Sequence, residues 1–297
     1  CPPGGRPGFD VRGSRCGPTV KQLGDIEAVV TDLSAFGAAT DDSVVLLHRL
    51  MHALAGSEIE IIVLDRVNPL GGAVVEALGN AQIQTLDEDH VIVRPAMTLG
   101  EIARFIRTRE KLDVRLTVLP VVGWNRTMLQ TDTGLPWIGA PAGVASLSGM
   151  MLRPVLALLE GSVSVGRGTQ SSFEVVGRPD LDGETLAGKL SSRHFDGVRF
   201  FPARFVPVRG VFSGLECGGI RIVVDDFTKV RTAEIATAII ESTKEQFLHD
   251  ASLSTGAETR DKGRACDSSS CTDSDRSPFG RDRAKFNALR SAAILYR

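Results

Sequence analysis

The chain has 297 residues, 42% of them hydrophobic and 24% charged, with a formal net charge of −2. That is enough for two ordinary domains with ample core. It contains no apolar run of membrane-spanning length, and its near-zero charge with scattered arginines argues against nucleic acid as a partner. Five cysteines, Cys1, Cys16, Cys217, Cys266 and Cys271, form no Cys-x-x-Cys pair and so imply neither a zinc site nor a disulfide framework.

Residues 1–18, rich in Gly, Pro and Arg, are expected to be irregular, with no charged segment and apolar run of a secretory signal among them. A short helical approach over Thr19–Asp25 leads to a predicted strand, Ile26–Leu33, which delivers Asp32 near its end. Asp41 and Asp42 are expected to cap a helix over Ser43–Ala55, where Val44, Leu47, Leu50, Met51 and Leu54 recur at three and four. The apolar run Ile59–Leu64 then reads as a buried strand, and strand, helix, strand at this spacing is a βαβ unit with a parallel sheet. In such sheets the loops beyond the carboxyl ends of the strands form the ligand crevice. Asp65, Arg66 and Asn68 occupy that position, and the turn at Pro69 and Gly71-Gly72 is expected to return Glu76, on a short helix over 74–79, to the same crevice.

Gln82–Val93 reads as extended. Thr98-Leu99-Gly100-Glu101 is a capping-box pattern that opens a helix to about Arg109. Val114–Val122 is the clearest isolated strand and ends in Gly123-Trp124-Asn125-Arg126. After a loop holding Trp137 come a helix over Ser148–Leu159, a glycine-punctuated loop over 160–169, and a strand over Phe173–Val176 that closes the first half. The domain boundary is expected near Gly177. Beyond it lie predicted strands at Val198–Phe205 and Gly218–Val224, a helix from Thr232 to about Phe247, a mobile loop at about 251–284, and a closing helix that docks back through 293–296.

Asp65, Arg66, Asn68 and Glu76 form either an ion-paired turn or a site in which Glu76 is an acid or base and its neighbours hold a polar substrate. Glycoside hydrolysis needs two carboxyl groups roughly 5 to 9 Å apart, with Asp32 or Glu160 as the second here. The Gly166-Arg167-Gly168-Thr169 loop lacks the ending of a P-loop and the spacing of a dinucleotide fingerprint, so a nucleotide enzyme is the weaker reading. Arg167 suits a carboxylate clamp. His48 and His52 have metal-like spacing without a third ligand nearby in sequence, and read as surface residues. Cys217 reads as core.

Several segments together resemble the exo-β-N-acetylmuramidase family of peptidoglycan-recycling glycosidases. They are Leu64–Gly72 with Val75-Glu76, Met97–Ala103, Gly123–Arg126, Glu160–Ser162 with Ser164–Thr169, Phe173-Glu174, Phe200–Pro202, Phe205–Pro207 and Ile294–Tyr296. The resemblance implies a Rossmann-like, mostly parallel domain carrying the active site (1–176) and a smaller C-terminal α+β domain (177–297), with a cleft between. It implies removal of N-acetylmuramic acid from the non-reducing end of peptidoglycan fragments, no cofactor, and a secreted or periplasmic location. Glu76 is then the catalytic carboxylate. Asp32, Asp65, Arg66, Asn68, Trp124, Arg126, Glu160, Arg167 and Thr169 are the substrate-binding positions.

The family's Pro-Glu-His-Gly segment is expected upstream of residue 1 or in the unrecognisable opening, where no glutamate occurs before Glu27, and the resemblance implies that an N-terminal part of the domain is missing. Pro95-Ala96 stand where the family has His-Gly, and with one tyrosine and two tryptophans the stacking surface for a sugar is thin. Weakened or lost activity is therefore an open outcome. The alternative is a non-catalytic protein that binds muramyl glycans.

Overall fold

The computed structural model describes residues 23–35, 37, 41–79, 90–136, 143–244 and 280–297. The irregular opening, the loop with Trp137, much of the extended stretch 82–93 and the 251–279 part of the expected mobile loop lie outside them.

Strands β1 (Ala28–Thr31), β2 (Glu60–Leu64) and β5 (Arg115–Leu119) form a parallel sheet in the order β1-β2-β5. Helices α1 (Asp42–Ala53) and α2 (Leu99–Arg109) supply the apolar residues that bury one face of it, where Ile61 and Val63 lose all exposure. The α2 start is the capping box read from the sequence: the Thr98 hydroxyl accepts from Glu101 N, and the Glu101 carboxylate accepts from Thr98 N. At α1 the N-cap is Asp41, but its carboxylate makes no capping hydrogen bond and instead faces Arg153 at 3.1 Å.

The segment 74–79, expected as a helix, is instead strand β3 (Glu76–Gly79), paired antiparallel with β4 (His90–Arg94). Helix α3 (Leu147–Leu156) follows, then an antiparallel sheet in the order β6 (Val175–Arg178), β8 (Cys217–Val224), β7 (Val198–Phe205). Helix α4 (Gly183–Ser191), absent from the sequence expectations, is capped by the Asp182 carboxylate, which accepts from Glu184 N and Thr185 N. It packs on this sheet, and α5 (Thr232–Lys244) packs on α3 and α4.

Strand β6 is hydrogen-bonded to β8, and α3 buries Met151, Leu152 and Val155 in the same core as Ile220 and Ile239, a core that also takes in Leu70, Val93 and Val144 from earlier in the chain. The closing segment is also redirected. Helix α6 (Gly280–Arg290), which takes in residues expected in the mobile loop, sends Phe286 into the core of the parallel sheet, and Ala293 follows it there. The two-domain α/β plan holds, with the last described residues completing the first domain.

Candidate functional site

The carboxyl ends of β1 and β2 place Asp32 and Arg66 side by side. Arg66 Nε and Nη2 both donate to Asp32 Oδ1, at 2.8 and 2.5 Å, and both side chains are about half exposed, 55% for Asp32 and 51% for Arg66. This pair therefore stands open to solvent just beyond the carboxyl ends of β1 and β2. An exposed pair of this kind contributes little to stability, so its fork is free to change partners at small cost.

Asp65 lies one residue earlier and is turned inward. Its Oδ2 accepts from Thr98 Oγ1 at 2.7 Å and from the Tyr296 hydroxyl at 2.5 Å, while Oδ1 accepts from Gly100 N at 2.8 Å and Arg66 N at 3.0 Å. Gly100 is needed for that approach: a Cβ there would sit 2.8 Å from the Asp65 carboxyl carbon and 2.4 Å from Val118 Cγ1. Tyr296 in turn accepts from Val121 N at 2.9 Å, and its ring meets Trp124 edge-on with centroids 5.0 Å apart. Burial, then the hydrogen bond to Asp65, push the Tyr296 phenol well above its ordinary range.

Arg126 is the hub of the adjoining knot. It donates to Gly72 O at 3.0 Å, to Glu101 Oε1 at 2.6 Å and to the Ala96 carbonyl. Arg290 donates to that same carbonyl at 2.8 Å, and burial together with the neighbouring Arg126 lowers its guanidinium to about 10. Ala96 holds a left-handed backbone, φ 50°, to present this oxygen. Asn68 is likewise committed, donating to Met97 O at 2.9 Å and accepting from Leu70 N at 3.0 Å, and Trp124 donates to Met128 O at 3.2 Å. Of the expected substrate-binding residues, Asp65, Asn68, Trp124 and Arg126 thus shape the framework under the crevice rather than its open surface.

Glu76 does not open on the crevice either. Only 4% exposed, it accepts from Thr232 N at 3.1 Å through Oε1 and from the Thr232 hydroxyl through Oε2. A carboxylate at the first turn of α5 satisfies free backbone donors and meets the positive end of the helix. Arg94, equally buried, faces it with Nη1 at 3.8 Å; burial lowers the Arg94 guanidinium and Glu76 opposes that shift. Glu76 therefore ties the β3–β4 hairpin to the second domain.

The loop after α3 carries the second exposed group. Arg167 grips Glu160 in a bidentate pair, with Nη2 to Oε2 at 2.8 Å, and lies 5.0 Å over the ring of Phe173. The hydrogen bond from Arg167 to Glu160 raises the guanidinium above its ordinary value. Gly166 and Gly168, at φ 69° and 82°, allow the turn, and Thr169 closes it by donating to Gly166 O at 2.7 Å. The arginine clamp expected here is present, but it holds a side chain of its own loop. Cys217, expected in the core, is buried, and burial raises its thiol.

Two family models cover almost all of the chain: the N-terminal exo-beta-N-acetylmuramidase NamZ model matches residues 3–146 and the C-terminal NamZ model residues 151–296. The chain belongs to the NamZ exo-β-N-acetylmuramidase family. The two models meet between residues 146 and 151, at the start of α3. A curated relative, the peptidoglycan beta-N-acetylmuramidase NamZ of Bacillus subtilis strain 168, is 28% identical over 257 residues. That match covers 85% of this chain and 62% of the relative, so the chain spans about three fifths of the relative's length. Among solved structures, one DUF1343 family protein of Bacteroides fragilis NCTC 9343 superposes with a TM-score of 0.80 at 24% identity, covering 95% of this chain and 78% of that one. A second from the same organism gives 0.63 at 20% identity, over 94% and 78%. These likenesses bear on the fold of this NamZ-family chain.

Proposed function

We propose that the chain is a glycoside hydrolase that removes N-acetylmuramic acid from the non-reducing end of peptidoglycan fragments. The observation that carries the reading is the match of both NamZ models along one chain whose strand ends leave the Asp32–Arg66 pair open. Arg66 has the planar donor set that suits the lactyl carboxylate of muramic acid, and exchanging Asp32 for that carboxylate costs it little. Glu160 and Arg167 form the second partly exposed acidic and basic pair in the candidate set. Hydrolysis of this kind uses water and protein carboxyl groups, without a cofactor. The substrate belongs to the cell wall, which favours a secreted or periplasmic location.

Within this reading Glu76 is the acid/base carboxylate, and it reaches a sugar only when Thr232 releases it. Its burial is also the one observation that favours the alternative, a protein that binds muramyl glycans without cleaving them. Release of N-acetylmuramic acid from a muropeptide, or of a chromogenic aglycone from its β-glycoside, separates the two. Turnover that Arg66→Ala weakens chiefly through KM supports the proposal, because binding is the role assigned to Arg66. Absence of turnover together with thermal stabilisation by muramic acid supports the binding protein. Turnover unchanged in Glu76→Gln removes Glu76 from the chemistry.

A further inference from the structure

We propose that His48, His52 and Glu110 form a binding site for a divalent transition-metal ion on the outer surface of the first domain. Helix α1 carries the two histidines four residues apart, on one face. The third ligand comes from the C-cap of α2, far away in sequence. His48 Nε2 lies 2.9 Å from Glu110 Oε1, and His52 Nε2 lies 2.5 Å from Glu110 Oε2. One donor atom from each residue can be chosen so that all three lie within 4.8 Å of one another, and the two imidazole centroids are 4.5 Å apart.

A tetrahedral ion with ligand bonds of about 2.0–2.2 Å holds its donors roughly 3.3–3.5 Å apart, so a small spreading of these side chains admits it. Each Nε2 then offers a lone pair to the ion, its hydrogen having moved to Nδ1 or to solvent. Two imidazoles and one carboxylate suit Zn²⁺, Co²⁺, Ni²⁺ or Cu²⁺, and suit the all-oxygen preferences of Mg²⁺ and Ca²⁺ poorly.

The frame is rigid. Glu110 N donates to Ile106 O at 2.9 Å, and Leu47, Met51 and Ile106 bury themselves in one core beneath the cluster. The ligands stay accessible, at 41%, 47% and 32% side-chain exposure, which leaves a fourth position to water and makes the ion exchangeable. Both histidines lie in the second half of α1, and Glu110 follows the end of α2. In a parallel sheet with crossover helices these positions lie at the amino ends of the strands, opposite the Asp32–Arg66 crevice. The ion would therefore clasp α1 to α2 and take no part in sugar chemistry.

The test is titration of the whole chain with Co²⁺ at pH 7.5, read by visible absorption, followed by displacement with Zn²⁺. The expected result is one equivalent bound. Loss of a direct ligand in His48→Asn, His52→Asn or Glu110→Gln should weaken it by more than the about 10- to 100-fold that loss of an outer-shell partner costs. Far-UV circular dichroism checks that each variant is folded. For a variant that is not, the wild type decides by its own proton spectrum, where two imidazole rings should show Co²⁺-shifted resonances. No binding at millimolar Co²⁺, no shifted imidazoles, or binding unchanged in His48→Asn/His52→Asn overturns the proposal.

Discussion

Replacing Glu76 tests the most consequential placement in the molecule. The carboxylate is nearly sealed from water, caps α5 through Thr232, and is the counter-charge facing the buried Arg94, whose Nη1 has no hydrogen-bond acceptor among the described residues. Removing one partner of such a pair strands the other charge, at about 3–5 kcal/mol. Glu76→Ala should therefore cost about that much, and Glu76→Gln, which strands the same charge but keeps the shape and an acceptor oxygen for Thr232, about 3 kcal/mol, the lower end of that range. Adding Arg94→Met to Glu76→Gln should return part of the loss, because the stranded charge is then gone. Urea unfolding followed by far-UV circular dichroism gives the four corners of the cycle. Single variants within about 0.5 kcal/mol of wild type, the range of ordinary surface changes, would refute the placement of Glu76 as a buried inter-domain tie.

Two further outcomes follow from the same knot. Tyr296 is the only tyrosine in the sequence, so absorbance at the tyrosinate band reports on it alone. Its raised phenol pKa stabilises the fold fully below the ordinary value of about 10, and that contribution is lost as pH climbs above it toward the raised value. Ionisation is therefore expected only together with alkaline unfolding; a midpoint near 10 with native circular dichroism would contradict the hydrogen bond to Asp65. Ala96→Gly relieves a left-handed backbone worth about 1–2 kcal/mol, less the roughly 0.5–1 kcal/mol that glycine's freedom costs. A net gain in stability is expected, and a net loss in thermal unfolding would show that the Ala96 methyl packs usefully.

The elements that could be read from the sequence were those whose signals are local. The capping box at Thr98 and Glu101 and the β-branched run of β5 carry their own evidence within a few residues. Strand β3 was misread because Ala73–Leu78 has neither period, and its partner comes only at 90–94. Helix α4 went unseen although Asp182 with Glu184 is a start signal, since Gly183 and Gly188 dilute the helical pattern. At the candidate site, Asp32 and Arg66 were legible singly because both end a predicted strand. The commitments of Glu76 to Thr232 and of Asp65 to Tyr296 span 156 and 231 residues, and no spacing rule reaches that far. Separations of 62 and 58 residues likewise hid Glu110 from the two histidines.

The docking of α6 and the segment after it also sets the order in which the molecule can be made. Residues 28–119 hold the three strands of the parallel sheet, yet the core beneath them lacks Phe286 and Ala293, and Asp65 lacks its phenol partner, until residues 286–296 have been made. At about 5–20 residues per second the ribosome leaves that sheet waiting on the order of ten seconds or more. The antiparallel sheet can form in the meantime, so of the two sheets the one whose strands are made first is sealed second. During that interval the early strands stay open to chaperones, or to one another on neighbouring nascent chains.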